Sequence, residues 1–155
     1  TGAGVDLTKQ TVITISATED EVRGIGGENI VGTYMFAKYF QSLKNPNNKK
    51  FIKEFKKMWG DDIVIGDVTN NAYLGPWLWK AAVEKAGSFD IDKIKKVNGS
   101  GIEMKNAPEG YVRIHETNNH LYSKLRVGRA RSDGQFDVVH ESELMEPDPF
   151  PKGYQ

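Results

Sequence analysis

The apolar residues between positions 45 and 60 recur at helical spacing, and this pattern constrains the fold more than any other in the sequence. Asn45 followed by Pro46 is typical of a helix start, and Gly60 of a helix end. The pattern predicts an amphipathic helix over 45–59 with its lysines exposed. Three side chains of the apolar stripe are expected to be buried: Phe51, Phe55 and Met58.

A longer helix is predicted over about 70–86, with Gly87 after it. It is rich in Ala, Leu and Trp on several faces, so we expect it to be well buried. Trp77 and Trp79 are interpreted as core residues, and Pro76 is placed in the first turns, where a missing N–H costs least. Asp90 could cap a small helix that reaches position 97.

Strand patterns lie on both sides of these helices. The first half alternates strands and helices, which indicates an α/β fold, and Thr18 with Glu21 has capping-box spacing before a short helix. Asp133-Gly134 is typical of a hairpin turn between the last two strands. The predicted strands are 11–16, read as buried, then 32–40, 111–114, 121–130 and 135–141.

Composition excludes several classes of partner. The chain has 155 residues, with 21 Lys plus Arg and 21 Asp plus Glu, so it has no overall attraction for nucleic acid or anionic lipid. Because it has no cysteine, disulfides and thiolate sites are excluded. No apolar run approaches the ~20 residues that a membrane-spanning helix needs.

Possible sites for chemistry are few. His115 and His120 could come close, but no fixed-spacing motif supplies further metal ligands. Residues 24–27 (GIGG) follow a predicted helix and not a strand, so they are expected to end that helix and not to hold a nucleotide. The lysines around the 45–59 helix are interpreted as a solvated face. We therefore expect no metal, no cofactor and no enzymatic activity.

Several short runs resemble the carboxy-terminal segment of urea- and short-chain-amide-binding proteins, which belong to the leucine/isoleucine/valine-binding group of ABC-transporter receptors. The downstream runs are 107–114 (APEGYVRI), 118–120 (NNH), 134–139 (GQFDVV) and 146–151 (EPDPFP). The upstream ones are 39–43 (YFQSL), Asn48, Phe51, 72–73 (AY) and 79–87 (WKAAVEKAG). The resemblance covers nearly the whole chain, and the runs are specific as a set.

This resemblance implies part of a two-lobed type I periplasmic-binding-protein fold, with a parallel sheet flanked by helices and an antiparallel hairpin near the carboxy terminus. About 1–40 would lie in one lobe, 41–120 in the other, and 121–155 would form the return and tail. Ligand would bind between the lobes. The implied contacts are Ser16, Ala17 and Thr18 after the first strand, with Tyr73 as a second candidate whose role as a core residue stays open.

The implied function is the substrate-binding component of an ABC transporter that captures urea or a short-chain amide outside the cytoplasm, with a membrane permease as partner. A cytoplasmic amide sensor of the same fold is the alternative. A ligand-independent interaction module is a third reading. The resemblance starts partway into the family pattern, so we expect this chain to need its missing half, or a second copy, for tight binding.

Overall fold

A computed structural model describes residues 4–153 and confirms the α/β class. The helices are α1 (Glu19–Ile25), α2 (Pro46–Trp59), α3 (Asp67–Ala86) and α4 (Ile91–Asn98), with a 3-10 turn at Gly27–Asn29. The strands are β1 (Ile13–Thr14), β2 (Tyr34–Ala37), β3 (Glu103–Ala107), β4 (Gly110–Ile114), β5 (Leu121–Tyr122), β6 (Arg126–Ala130) and β7 (Phe136–Glu141).

The strands form two sheets. The first has the order β1-β2-β6-β7, and the second has the order β3-β4-β5. Across residues 4–153, β1–β2 is the only parallel pair, and every other ladder is antiparallel. Of the expected parallel sheet, only the β1–β2 pair is parallel among the described strands.

The segment 121–130, predicted as one strand, is divided between the two sheets. Leu121–Tyr122 pairs with β4 in the second sheet, whereas Arg126–Ala130 pairs with β2 and β7 in the first. Residues 123–125 cross between the sheets, and Leu125 is therefore exposed. The predicted hairpin itself is confirmed, because β6 and β7 pair antiparallel around the turn at Gly134, whose φ is 78°.

Strand β1 is shorter and more exposed than the alternating pattern of 11–16 predicts. It pairs with β2 on one side, and no other described strand pairs with it. Ile15 is 79% exposed and Ile13 is exposed as well, so the expectation of a buried strand is wrong. A strand buried on both faces and an edge strand can have the same β-branched sequence, and only the sheet order separates them.

Helix α2 confirms the predicted start, since the Asn45 side chain accepts a hydrogen bond from Asn48 N–H at 2.9 Å. Phe51 is buried and Phe55 is half-buried, but Met58 is 73% exposed, so its predicted burial is wrong. Burial of Met58 would require another element to pack over the last turn of the helix. An open cavity of about 360 Å³ lies there instead. The lysines of the helix are exposed, apart from a half-buried Lys56.

Helix α3 begins at Asp67, earlier than predicted, so Pro76 lies in its interior and not in its first turns. One stripe of α3 is buried against the second sheet: Asn70, Leu74, Leu78 and Ala82. Trp77 and Trp79 lie off that stripe and are 45% and 53% exposed, so their interpretation as core residues is wrong. Large side chains on several faces of a helix predict burial only if every face is covered. The small helix α4 begins as predicted, with Asp90 accepting from Lys93 N–H at 3.0 Å.

The core of the first sheet lies between α1 and the β6–β7 hairpin, and it contains Val22, Met35, Phe40 and Phe136. Phe40 and Phe136 pack with their ring centroids 5.2 Å apart. Gly128 of β6 lies directly under this pair. A Cβ atom at position 128 would be 2.6 Å from two ring atoms of Phe40.

Arg126 holds the two sheets together at the point where the chain crosses between them. Its guanidinium donates to the carbonyl of Lys38 after β2, to the carbonyl of Glu109 between β3 and β4 at 2.8 Å, and to the carboxylate of Glu141 at 2.7 Å. Arg126 is buried, so these bonds have little competition from water. One side chain thus fixes three separate segments of the chain.

Gly128→Ala should destabilise the protein, because the added methyl group overpacks the Phe40–Phe136 contact. We expect the free energy of unfolding to fall by roughly 1–3 kcal/mol in urea denaturation. Gly75→Ala is the matched control, since Gly75 is an exposed residue of α3 with open space around its Cβ position. That variant should be stabilised by about 0.5–1 kcal/mol. Equal effects of the two substitutions would contradict the packing described for Gly128.

Arg126→Ala should lower the free energy of unfolding by roughly 3 kcal/mol, since each buried acceptor left unpaired costs about 1–3 kcal/mol. Arg126→Lys should recover only part of the loss, because an ammonium group cannot reach three acceptors in the geometry of a guanidinium. Arg129→Ala is the control, because Arg129 is exposed on the same strand. A loss for Arg129→Ala as large as that for Arg126→Ala would contradict this role.

Candidate functional site

The amino-terminal ends of α1 and α3 meet in what we call the polar junction, formed by Thr18, Asp20, Gly66, Asp67 and Thr69. The Asp20 carboxylate accepts from Gly66 N–H at 3.0 Å and from the Thr69 hydroxyl at 3.1 Å. A Cβ atom on Gly66 would collide with the Thr18 hydroxyl and with the Asp20 carboxylate. Two helix starts, with their backbone N–H groups and hydroxyls, therefore lie side by side.

The crossover segment, residues 38–43, closes the polar junction from the side of β2. Tyr39 N–H donates to Asp67 Oδ1 at 2.8 Å, and Asn71 Nδ2 donates to Asp67 Oδ2 at 3.0 Å. Lys38 Nζ in turn donates to Asn71 Oδ1 at 2.9 Å. Both oxygens of Asp67 are thus occupied, and the Lys38 ammonium has a partner.

The next turn of α3 connects the junction to the second sheet. Asn70 is fully buried and donates to the Glu109 carboxylate at 2.5 Å, and the Ser123 hydroxyl donates to the other oxygen of Glu109 at 3.0 Å. The side-chain oxygen of Asn70 is buried and has no hydrogen-bond partner among the described residues.

Glu19, in the first turn of α1, is the most perturbed carboxylate near the junction. It is 1% exposed, and Gln41 N–H donates to its Oε1 at 2.7 Å, whereas its Oε2 has no partner in the described part of the chain. Burial raises the pKa of Glu19 from 4.5 to about 7, and repulsion from Asp20 and Asp67 acts in the same direction.

The structure does not bring together the four ligand contacts that the resemblance implied, which are Ser16, Ala17, Thr18 and Tyr73. Thr18 caps α1, and Glu21 Oε2 accepts from its backbone N–H at 2.8 Å and from its hydroxyl at 2.9 Å. Ser16 is exposed and Ala17 half-buried, just before that turn. Tyr73 instead packs against Phe51 with ring centroids 4.6 Å apart. It lines the aromatic cavity beside α2, whose wall does not include the other three residues.

Sequence reasoning missed several polar residues of the junction and its surroundings. They are Lys38, Asp67, Glu109 and Arg126, together with the Glu19 carboxylate. The pair Asn70-Asn71 was a usable signal, because two amides at the start of an otherwise apolar helix indicate a polar environment. Nothing local marks Glu109 or Arg126, whose partners are 39 and 88 positions away in the sequence.

Two surface cavities lie near these residues. One of about 410 Å³ includes Glu109, Arg126, Lys44, Lys124 and Glu141 in its wall, on the side of the sheet crossing where α2 begins. The other is the aromatic cavity of about 360 Å³ beside α2.

The described residues offer no evident metal centre. Within 4–153, no group of three or more His, Asp or Glu side chains is arranged to hold a metal ion. His115 and His120 are neighbours through the backbone, with His115 N–H donating to the His120 carbonyl at 2.7 Å, but the His115 ring is directed to Glu146 at 3.2 Å. The GIGG segment ends α1, as predicted, with Gly26 at its carboxyl end. None of the described helices combines the length and the apolar character that crossing a bilayer requires.

Comparison with solved structures places the fold among solute-binding proteins. A solute-binding protein of an ABC transporter from Rhodopseudomonas palustris HaA2, in complex with p-hydroxybenzoic acid, has a TM-score of 0.79 at 20% identity over 94% of this chain and 40% of its own. The amino acid ABC transporter substrate-binding protein of Pseudomonas fluorescens Pf-5 has a TM-score of 0.75 at 21% identity, and the match covers 91% of this chain and 39% of that protein. The leucine-, isoleucine-, valine-, threonine- and alanine-binding protein of Brucella ovis has a TM-score of 0.73 at 16% identity. That match covers 94% of this chain and 40% of the Brucella protein. At these identities the likeness shows the fold, and the chain spans about two fifths of each of these proteins.

A curated relative, limonene hydroxylase of Geobacillus stearothermophilus, is 38% identical over 119 residues, which are 77% of this chain and 21% of that protein. The chain thus spans about a fifth of it, and its name describes the whole of that larger protein. The family described as a periplasmic binding protein domain matches residues 1–155. Since this match extends over the entire chain, the protein belongs to the periplasmic binding protein domain family.

Proposed function

We propose that this chain is part of the substrate-binding component of an ABC-type transporter, and that it captures a small, neutral, polar solute such as urea or a short-chain amide. The family match over the whole chain supports a binding role and not an enzymatic one. The family match also supports the proposal that the protein works outside the cytoplasm and delivers its solute to a membrane permease.

The two sheets support a division of the chain between two lobes. In this proposal about 1–40 and 121–155 belong to one lobe, with the sheet β1-β2-β6-β7, and 41–120 to the other, with most of the sheet β3-β4-β5. The chain crosses from the first sheet at the crossover segment and returns at residues 123–125. Arg126 binds the carbonyl of Lys38 next to both crossings.

The proposal of a neutral solute rests on the charges at the polar junction. A carboxylate ligand, such as an amino acid or a benzoate, needs an available cation or several free N–H donors. Among the described residues of the junction and its neighbours, both Lys38 and Arg126 have partners. The Asp20 and Asp67 carboxylates at the junction are acceptors, which suits a solute rich in N–H groups.

Specific contacts are proposed for the residues that the resemblance indicated. Ser16 and Thr18 would bind the solute through hydroxyl groups at the start of α1, with Ala17 contributing its backbone. Tyr73 would approach from the other lobe with its hydroxyl group. Because Tyr73 lies in the aromatic cavity in this structure, this contact requires closure of the lobes or a rotation of the tyrosine side chain.

The intact protein should bind urea or acetamide more tightly than leucine or benzoate in isothermal titration calorimetry. Ser16→Ala should weaken urea binding by about 1 kcal/mol, which corresponds to a five- to tenfold higher Kd. Ser100→Ala is the matched control, because Ser100 is an exposed serine in the turn after α4. Preference for leucine or benzoate would reject the neutral solute and leave the transport role in place. Absence of binding to every small solute would reject the transport role.

A further inference from the structure

Glu19 links the first turn of α1 to the crossover segment through a single bond to a backbone group. Gln41 N–H donates to Glu19 Oε1 at 2.7 Å, and the other carboxylate oxygen is buried without a partner among residues 4–153. An ionised carboxylate loses hydration on burial, and at Glu19 the nearby carboxylates of Asp20 and Asp67 further oppose a negative charge. A protonated carboxyl fits this geometry better, with the proton on Oε2 and the carbonyl oxygen facing Gln41.

The bond from Gln41 extends the link to α3. The side-chain oxygen of Gln41 accepts from Ile65 N–H at 2.7 Å, just ahead of the start of α3. Ile65 is itself fully buried and packs with Tyr39 and Phe51. Glu19, Gln41 and Ile65 therefore form a chain of bonds from the first sheet, across the crossover segment, to the helix that packs on the second sheet.

The charges around Glu19 are mainly acidic. Asp20 of α1 and Asp67 of α3 both act on its carboxyl group, and the phenol of Tyr39 lies close enough to feel its charge. On the side of the β6–β7 turn, a cavity of about 340 Å³ has Arg23, Glu28 and Asp133 in its wall together with Glu19. The cations on these elements are engaged or exposed: Lys38 donates to Asn71, Arg131 pairs with Asp133, and Arg23 is exposed.

We infer that Glu19 is a proton-controlled contact between α1 and the crossover segment: protonated, it holds the segment against α1, and on losing its proton to solvent it releases that segment. The ionised carboxyl adds an uncompensated charge beside Asp20 and Asp67 in a buried space. The carboxylate is by itself a stronger acceptor for Gln41 N–H, but the cost of burying the charge outweighs this bond, so the first turn of α1 moves toward water and the bond is lost. The crossover segment, which leads from one sheet to the other, thereby becomes more mobile.

The direction of the pH dependence follows from the raised pKa of Glu19. The folded protein binds this proton more tightly than the unfolded chain does, so the contribution to stability is complete below the ordinary pKa of 4.5 and is lost as the pH rises through about 7. For solute binding the consequence rests on the proposed function. If the solute binds at the polar junction, its affinity should fall over the same pH range, because the start of α1 is part of that junction.

The contact can be tested on the purified protein without any solute. Carboxyl carbon NMR should show Glu19 titrating with a midpoint near 7. Hydrogen exchange should show a protection factor of the Gln41 amide that falls roughly tenfold between about pH 6 and pH 8, in proportion to the protonated fraction. The Asn48 amide, whose N–H bonds to the Asn45 side chain, is the internal reference and should keep its protection factor.

Glu19→Gln keeps an acceptor for Gln41 N–H and cannot ionise, so its Gln41 protection should not change with pH. Glu28→Gln, at an exposed carboxylate near the same cavity, should behave as the wild type does. A Glu19 titration near 4.5, or a Gln41 protection factor that is constant with pH in the wild type, would overturn the inference even if Glu19→Gln failed to fold. If the Gln41 contact follows pH but urea affinity does not, the contact stands and the proposed solute site at the junction falls.

Discussion

The position of the Arg126 guanidinium is the constraint on which the rest of this structure depends. The chain leaves the first sheet after β2 and returns to it at β6, where Ala37 and Arg126 face each other across the backbone ladder. Arg126 satisfies the Lys38 and Glu109 carbonyls and pairs with Glu141 while it is buried itself. Its planar arrangement of donors allows three acceptors to be fixed at once. The sheets are thereby aligned at their crossing, and the Asp20 bonds to Gly66 and Thr69 join the starts of α1 and α3.

That alignment creates an unusually acidic interior. Asp20 and Asp67 are neutralised by hydrogen bonds from Gly66, Thr69, Tyr39 and Asn71, so their charges are accommodated by N–H and hydroxyl groups and not by cations. Burial raises the pKa of the Glu19 carboxyl to about 7, although the bond from Gln41 N–H acts in the opposite direction. The engaged cations are the basis of the proposed neutral, N–H-rich solute, and the raised pKa of Glu19 supports the inferred response of the same junction to pH.

The local elements could be predicted from the sequence where a short-range physical rule decides them. The Asn45 cap of α2, the Asp90 cap of α4 and the turn at Gly134 are confirmed, because each depends on side-chain or backbone geometry within a few residues. The predicted burial of Met58, Trp77 and Trp79 is wrong for a single reason. Periodicity shows which side chains share a face of a helix, and it does not show whether another part of the protein covers that face.

The sequence by itself determined the α/β class, the hairpin β6–β7, the capped helices and the resemblance to periplasmic binding proteins, since all of these are encoded in residue type and spacing. Tertiary structure alone decided that 121–130 divides between two sheets, that α1 and α3 meet at their amino-terminal ends, and that Glu19 is buried with an unpaired oxygen. These outcomes depend on partners such as Lys38 and Arg126, which lie 88 positions apart. A hydrogen bond between residues so distant in sequence leaves no periodic signal in either segment, because periodicity reflects only neighbours along the chain.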